Sequence, residues 1–157
     1  MQSAQALEEE SKIEKEKSIK YSGTARIRLK WLHFQWNEPR ELNKKNVQDL
    51  ISCFQKDCRR LDIRNHIPAI IDQQDLDSAL RVSGILEGVL PKNLQHEYPE
   101  LDFWADYQLE CLHGQHRIQA AQQVLSPPNR WWTVDLYLTG MMTSLFFTLA
   151  DRKFRYQ

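Results

Sequence analysis

A run of chemically capable side chains lies late in the chain, in the sequence CLHGQHRIQAA at residues 111–121. Cysteine and histidine can ligate zinc, a thiolate can act as a nucleophile, and glycine and arginine at a helix start can hold a phosphate. Residues 107–112 predict a short strand before the turn, and helix-forming residues run from about Gln115 to Leu125. The pattern therefore predicts a strand, a glycine turn and a helix N-terminus.

An anion is one ligand that this arrangement suits. The first turn of a helix has unpaired backbone N–H groups and the positive end of the helix dipole. Gly114 lets an anion approach the backbone, and Arg117 adds a planar cation suited to phosphate. The alternative is that Gly114 only makes the turn while Arg117 pairs with an acid. The local sequence leaves both interpretations open.

Zinc and thiol chemistry fit the same run less well. Cys111 and His113 are predicted on the strand, whereas His116 begins the helix, and no CxxC or HExxH pattern accompanies them. A cysteine inside a strand is expected to be buried and unreactive. We therefore expect no zinc site, and no site at which protein side chains alone hold another metal. No catalytic residue can be named, and whether the chain is an enzyme stays open.

The elements that must position this run alternate between strand and helix. Strands are predicted at 24–32, 67–71, 107–112 and 131–138, helices at 43–58, 75–86, 115–125 and 140–152, and an irregular segment at 88–106. This order predicts a single α/β domain of mixed α+β character over residues 21–138. A charged flexible tail is expected at 1–20, and a C-terminal helix or divergent ending at 139–157.

Charge is unevenly distributed although the formal net charge is zero. Residues 21–66 carry ten Lys and Arg against five acids, residues 67–110 carry two against nine, and residues 111–157 carry five against two. The basic segments can fold into one anion-attracting face, or pair with the acidic segment. The first alternative predicts nucleic-acid binding by Arg26, Arg28, Lys30, Lys44 and Lys45.

The cysteines and the apolar runs of the chain indicate its cellular location. Three cysteines favour a reducing compartment, and the charged residues 8–20 exclude a secretory signal, so we expect an intracellular location, cytoplasmic or nuclear. Residues 131–150 have the length and flanks of a membrane span. Asp135, however, would cost roughly 3 kcal/mol at depth, and the first eight residues of the run suit a strand. We expect no membrane insertion.

Several motifs, in order, resemble an uncharacterised fungal family with a ParB/sulfiredoxin-like core. They are Pro39–Arg40 in a turn, GTARI at Gly23–Ile27, Arg60–Asp62 with Asn65–Ala69, Cys111–Ala121, and Trp131–Tyr137. The resemblance covers roughly residues 21–138 and implies a ParB/sulfiredoxin-like single domain. Residues 139–157 do not match the pattern, which suggests a truncated copy or a different ending.

In the ParB/sulfiredoxin-like superfamily, the Gly-x-x-Arg loop contacts nucleotide phosphates. The resemblance therefore implies phosphate binding by Gly114, Gln115, His116 and Arg117, with Arg40 from the turn. Sulfiredoxins have cysteine where this chain has Gln115, so sulfinic-acid reduction is excluded. ParB proteins have a glutamate there that helps to hold Mg²⁺, so a nucleoside triphosphate with weakly held Mg²⁺ is expected. The function implied is a nucleotide switch or a weak NTPase. The alternatives are a nucleic-acid-binding module and an inactive truncated remnant.

Overall fold

A computed structural model of the chain describes residue 8 and residues 21–34, 44–85, 90–91 and 97–139. Five strands and three α-helices in these residues form one mixed α+β domain, which confirms the predicted fold class. In chain order, they are β1 (Tyr21–Arg28), β2 (Leu32–His33), α1 (Lys44–Lys56), β3 (Ile67–Ile71), α2 (Gln73–Val82), β4 (Leu109–Cys111), α3 (Gln115–Val124) and β5 (Trp131–Leu138).

The strands form one mixed sheet in the order β1-β5-β3-β4-β2. β5 pairs with β1 antiparallel and with β3 parallel, β4 pairs with β3 antiparallel, and β2 pairs with β4 parallel. Every residue of β3 is buried, as expected for an apolar run at the centre of a sheet. The β4–α3 turn that carries the candidate site therefore lies beside the central strand.

The main core lies between the sheet and the three helices. Apolar residues that alternate along the central strands and β1 face it, and each helix contributes to the same cluster. Phe54 of α1 packs against Trp132 of β5, with 5.3 Å between the ring centroids. α1 also contacts α3. Alternation places Arg26 and Arg28 on the opposite face of the sheet from these helices, because Ala25 and Ile27 point into the core.

The outer edge of β1 is covered by backbone from further along the chain. The N–H of Thr24 donates to the carbonyl oxygen of Pro91, and the N–H of Leu101 donates to that of Arg26. These bonds satisfy polar groups that an uncovered edge would expose. As predicted, the parts of 88–106 that the structure describes have no helix or strand.

The prediction for the strand at 24–32 was wrong at its C-terminal end, because the strand is shorter there than predicted. β1 stops at Arg28, the last residue with a partner in β5, and a 3₁₀ turn at Leu29–Trp31 follows. The N–H of Leu29 donates to the carbonyl oxygen of Arg130, which turns the chain away from the ladder toward β2. Leu29 and Trp31 are nevertheless buried, as their alternation predicted. β2 is only two residues long and was not predicted.

The other boundaries differ by smaller amounts. The strands predicted at 67–71 and 131–138 are confirmed. The strand predicted at 107–112 is shorter and consists of β4 alone. The second helix begins earlier than predicted, because the Asp72 side chain accepts a hydrogen bond from the N–H of Asp75. Leu61 is 42% exposed because it lies beyond the end of α1 at Lys56.

Some predictions fall outside the described residues: the Pro39–Arg40 turn, the helix at 140–152, and nearly all of the terminal segments 1–20 and 139–157. Within the described part, no helix is long and apolar enough to cross a bilayer. The first eight residues of the apolar run at 131–150 form the strand β5 instead.

Candidate functional site: the Gly114–Arg117 loop

The turn between β4 and α3 is held directly against the central strand. The N–H of Leu112 donates to the carbonyl oxygen of Pro68 at 2.9 Å. Gly114 has φ +105° and ψ 13°, and a Cβ at this position would lie 2.8 Å from Cγ1 of Ile67. Only glycine meets both the left-handed backbone and the close approach without strain. The glycine that the sequence singles out is therefore required first by the packing of the turn.

The first turn of α3 starts without a side-chain cap. Gly114 is the N-cap residue, and the first intrahelical bond runs from the N–H of Ile118 to the carbonyl oxygen of Gly114 at 3.0 Å. The N–H groups of residues 115–117 precede that bond and have no partner within the helix. Together with the helix dipole, they make this end of α3 electropositive.

Arg117 adds a formal positive charge to the same turn. Its Nη1 lies 3.5 Å from the carbonyl oxygen of Asn65, at the limit of hydrogen bonding. That oxygen already accepts the indole N–H of Trp132 at 2.8 Å. No carboxylate pairs with Arg117 among the residues that the structure describes. The alternative in which Arg117 pairs with an acid is therefore not seen in the described chain.

The half-buried position of Arg117 makes its charge costly. Burial lowers the pKa of the guanidinium from its ordinary value, because the charged form loses hydration. A guanidinium stays protonated in proteins nonetheless. A desolvated cation without a carboxylate is stabilised by an anion that reaches it, so electrostatics and helix geometry favour the same class of ligand.

The remaining predicted site residues are placed as follows. Gln115 is exposed and His116 is half-buried, both in the first turn of α3. Arg40 lies outside the described residues. The structure therefore brings Gly114, Gln115, His116 and Arg117 together in one turn, as their adjacency in sequence requires, and leaves the contribution of Arg40 a prediction.

Cys111 is a buried strand residue. It is 2% exposed, and burial raises the pKa of its thiol well above the ordinary value. His113, predicted on the same strand, lies beyond the end of β4 in the turn, so that prediction was wrong. Among the described residues, no three His, Cys, Asp or Glu side chains lie close enough together to surround an ion.

The basic residues predicted to bind nucleic acid are distributed over different elements of the fold. Arg26 and Arg28 lie on the sheet face away from the helices, whereas Lys44 and Lys45 begin α1. Arg28 pairs with Glu100 at 3.4 Å, and Arg26 donates from Nε to the carbonyl oxygen of Tyr98 at 2.9 Å. Lys30 lies with its ammonium 4.6 Å from the centre of the Trp31 ring.

Sequence reasoning missed a buried polar network on the sheet. His66 is 5% exposed, and its Nδ1 lies 2.9 Å from Oδ1 of Asp135. The Nε2 of His66 lies 3.1 Å from the carbonyl oxygen of Leu61, and the hydroxyl of Thr24 donates to the same Asp135 oxygen at 2.6 Å. Tyr21 in turn hydrogen-bonds to Thr24. The only sequence signal was an acid inside an otherwise apolar and aromatic strand.

This network supports the fold rather than catalysis. Both ring nitrogens of His66 are engaged, one by a carboxylate and the other by a backbone carbonyl, so neither is presented to a substrate. Asp135 lies opposite Thr24 in β1 and Pro68 in β3. The carboxylate therefore links Thr24 of β1 to His66, the residue that precedes β3.

A second missed feature is a stack of cations on Trp131. The guanidinium carbon of Arg60 lies 3.6 Å from the centre of the Trp131 ring, and that of Arg26 lies 5.2 Å from it. Arg60 also donates from Nη1 to the carbonyl oxygens of Asn129 and Trp131, at 2.7 and 3.2 Å. Burial and the nearby Arg26 lower the pKa of Arg60. The arginine is thus fixed in place by bonds that leave its charge unneutralised.

The fold and the loop together define a small mixed α+β domain with an uncapped, electropositive helix N-terminus beside its central strand. The chain belongs to a protein family of unknown function, because residues 20–153 match the N-terminal domain of that family (DUF3723). Neither a curated protein nor a solved structure matches the chain significantly.

Proposed function

We propose that the Gly114–Arg117 loop binds the phosphate groups of a nucleotide. The observation that carries the proposal is Arg117, a half-buried cation that meets no carboxylate in the described chain and lies in the first turn of an uncapped helix. Phosphate is the anion that matches a guanidinium and a row of backbone N–H groups at once.

A ParB/sulfiredoxin-like core is part of the same proposal, and it rests on the sequence motifs. In that superfamily the corresponding Gly-x-x-Arg loop contacts a nucleoside triphosphate, which makes CTP and ATP the first ligands to try. Gln115 stands where ParB proteins have a metal-holding glutamate. An amide oxygen is a weaker Mg²⁺ ligand than a carboxylate, so we expect metal to increase the affinity only modestly.

The described residues of the loop offer groups suited to phosphate but no arrangement for bond cleavage. A nucleotide-dependent switch is therefore the simplest activity to propose for it, and slow hydrolysis is the alternative. His116 can donate to a phosphate oxygen or transfer a proton, because histidine side chains perform both roles in proteins. Its replacement by glutamine, which can donate but not transfer a proton, separates the two roles.

Calorimetric titration with CTP, ATP and GTP, each with and without Mg²⁺, tests the proposal. Charged hydrogen bonds are worth about 1.5–3 kcal/mol, so we expect Arg117→Ala to weaken binding by roughly ten-fold or more. Arg81→Ala is the matched control, since Arg81 lies exposed on α2 and its guanidinium donates to Ser78 on the same helix. Absence of binding by all three nucleotides, or equal loss in both variants, contradicts the proposal.

A further inference from the structure

A second concave surface lies toward the opposite end of α3 from the Gly114–Arg117 loop. It is an open cleft of about 400 Å³ between the 3₁₀ turn after β1 and the chain that follows α3. Its lining residues are Arg28, Leu29, Lys30, Gln122, Pro127 and Arg130. The Leu29 N–H donates to the carbonyl oxygen of Arg130 at 3.0 Å, which fixes the two walls relative to each other.

The cleft is strongly basic. Three of its six lining residues are cations and none is acidic. Lys30 lies over the Trp31 ring, and Arg130 donates from Nε to the carbonyl oxygen of Leu125 at 3.0 Å. Across the ranges that the structure describes, neither of these two cations is paired with a carboxylate. Both are exposed at the surface, so their charge is available to a ligand.

The third cation, Arg28, has only a weak competitor for its charge. Its Nε lies 3.4 Å from Oε1 of Glu100, and the two side chains are 41% and 46% exposed. Exposed ion pairs of this kind contribute about 0–1 kcal/mol and are screened by salt. A polyanion in the cleft can therefore displace Glu100 at little cost.

The cation stack on Trp131 adjoins two lining residues, although Trp131, Arg60 and Arg26 do not themselves line the cleft. Trp131 follows Arg130 in the chain and lies opposite Arg28 in the β1–β5 ladder. Arg60 covers its ring at 3.6 Å and Arg26 lies 5.2 Å from the ring centre. The three cations of the cleft thus lie next to a flat guanidinium–indole stack.

We propose that this cleft binds single-stranded nucleic acid, with Arg28, Lys30 and Arg130 on successive phosphates. The guanidinium–indole stack is the feature that favours a nucleic-acid strand over an acidic protein segment. Proteins that bind single strands combine a basic groove with planar side chains on which bases stack, whereas a peptide carboxylate needs only the cations. The cleft excludes Lys44 and Lys45, and it is independent of the proposed nucleotide site.

Fluorescence anisotropy with a labelled oligothymidylate measures this interaction. Three neutralised phosphates on a single strand predict that log Kobs falls with log salt concentration with a slope of about −2, a loss of roughly 20-fold between 50 and 200 mM salt. Lys30→Gln and Arg130→Gln should each reduce the magnitude of the slope by about 0.7. Lys44→Gln removes the same charge from α1 and should leave both affinity and slope unchanged.

Four results would overturn the proposal. The first two are no binding at low salt and an equal loss in the Lys44→Gln control. Another is displacement of the oligonucleotide by polyglutamate as efficiently as by unlabelled oligothymidylate, which would assign the cleft to acidic proteins. The last is loss of binding in Arg117→Met with full binding in the Lys30→Gln and Arg130→Gln variants, which would move the strand to the nucleotide site. Because Lys30 and Arg130 are exposed, their variants should melt at the wild-type temperature.

Discussion

The guanidinium of Arg117 and the backbone carbonyl of Asn65 are 3.5 Å apart, and Trp132 already donates to that carbonyl at 2.8 Å. Arg117 is therefore held close to the sheet by a weak contact, with its charge directed at no carboxylate in the described residues. A side chain kept only for stability would be expected to have a stronger partner. The weak contact favours a ligand-binding role for Arg117 over a structural one. The effects of replacing Arg117 on nucleotide binding and on stability can both be measured.

Arg117→Met tests the structural role. Methionine keeps the apolar stem and removes a charge that is desolvated without a partner, so the free energy of unfolding should stay constant or rise by about 1 kcal/mol. Urea denaturation measures this change. A loss of more than about 2 kcal/mol would show that the fold depends on the guanidinium and would weaken the proposed binding role.

Gly114→Ala should destabilise the domain much more than Gly84→Ala. Both glycines have positive φ, +105° and +69°, but a Cβ at Gly114 would lie 2.8 Å from Ile67 whereas one at Gly84 meets nothing within 4 Å. Left-handed backbone costs about 1–2 kcal/mol in both variants, and overpacking adds about 1–3 kcal/mol at Gly114 alone. Equal midpoints of urea denaturation for the two variants would disprove the close packing of the loop on β3.

Asp135→Asn should be among the most destabilising substitutions on the sheet. The asparagine loses the carboxylate that faces His66 and part of the bond from Thr24, and a hydrogen bond to a charged group is worth about 1.5–3 kcal/mol. Thr24→Val removes a single hydroxyl bond to the same carboxylate and should cost about 1 kcal/mol. The prediction fails if Asp135→Asn and Thr24→Val have the same small effect on the free energy of unfolding.

The three cysteines should react with a thiol reagent in a fixed order. Cys53 is exposed and should react first, Cys58 is half-buried with a thiol pKa raised mainly by burial, and Cys111 is buried with a raised pKa. A raised pKa lowers the thiolate fraction at a given pH, so the Cys58 rate should increase as pH rises above about 8.5. Fast labelling of Cys111 without denaturant would contradict its placement in β4.

The raised thiol pKa of Cys111 also predicts how stability responds to alkaline pH. The folded thiol holds its proton more tightly than the unfolded one, so this contribution to stability is fully present below the unfolded pKa of about 8.5. It is lost as pH rises toward the folded value. Urea denaturation of wild type and Cys111→Ala across this range should show a steeper decline for wild type.

Local features of the fold could be predicted from the sequence, and long-range ones could not. The β4–Gly114–α3 turn follows from adjacent residues, because a glycine after an apolar strand and before a helical pattern has few alternatives. The pairing of His66 with Asp135 joins residues 69 positions apart and becomes visible only once β3 and β5 are neighbours. The same holds for Arg60, which reaches the carbonyl of Trp131 across 71 positions. The end of β1 was misjudged because alternation continues through a 3₁₀ turn that the sequence does not mark.

Nuclear magnetic resonance of the backbone amides during addition of CTP or ATP tests the central claim most directly. If the Gly114–Arg117 loop binds phosphate, the largest amide shifts should fall on residues 114–117, because their N–H groups would face the anion. The same titration of Arg117→Met should need roughly ten-fold more nucleotide to reach the same shifts. Shifts confined to the Arg28, Lys30 and Arg130 cleft, or no shifts at all, would contradict the account.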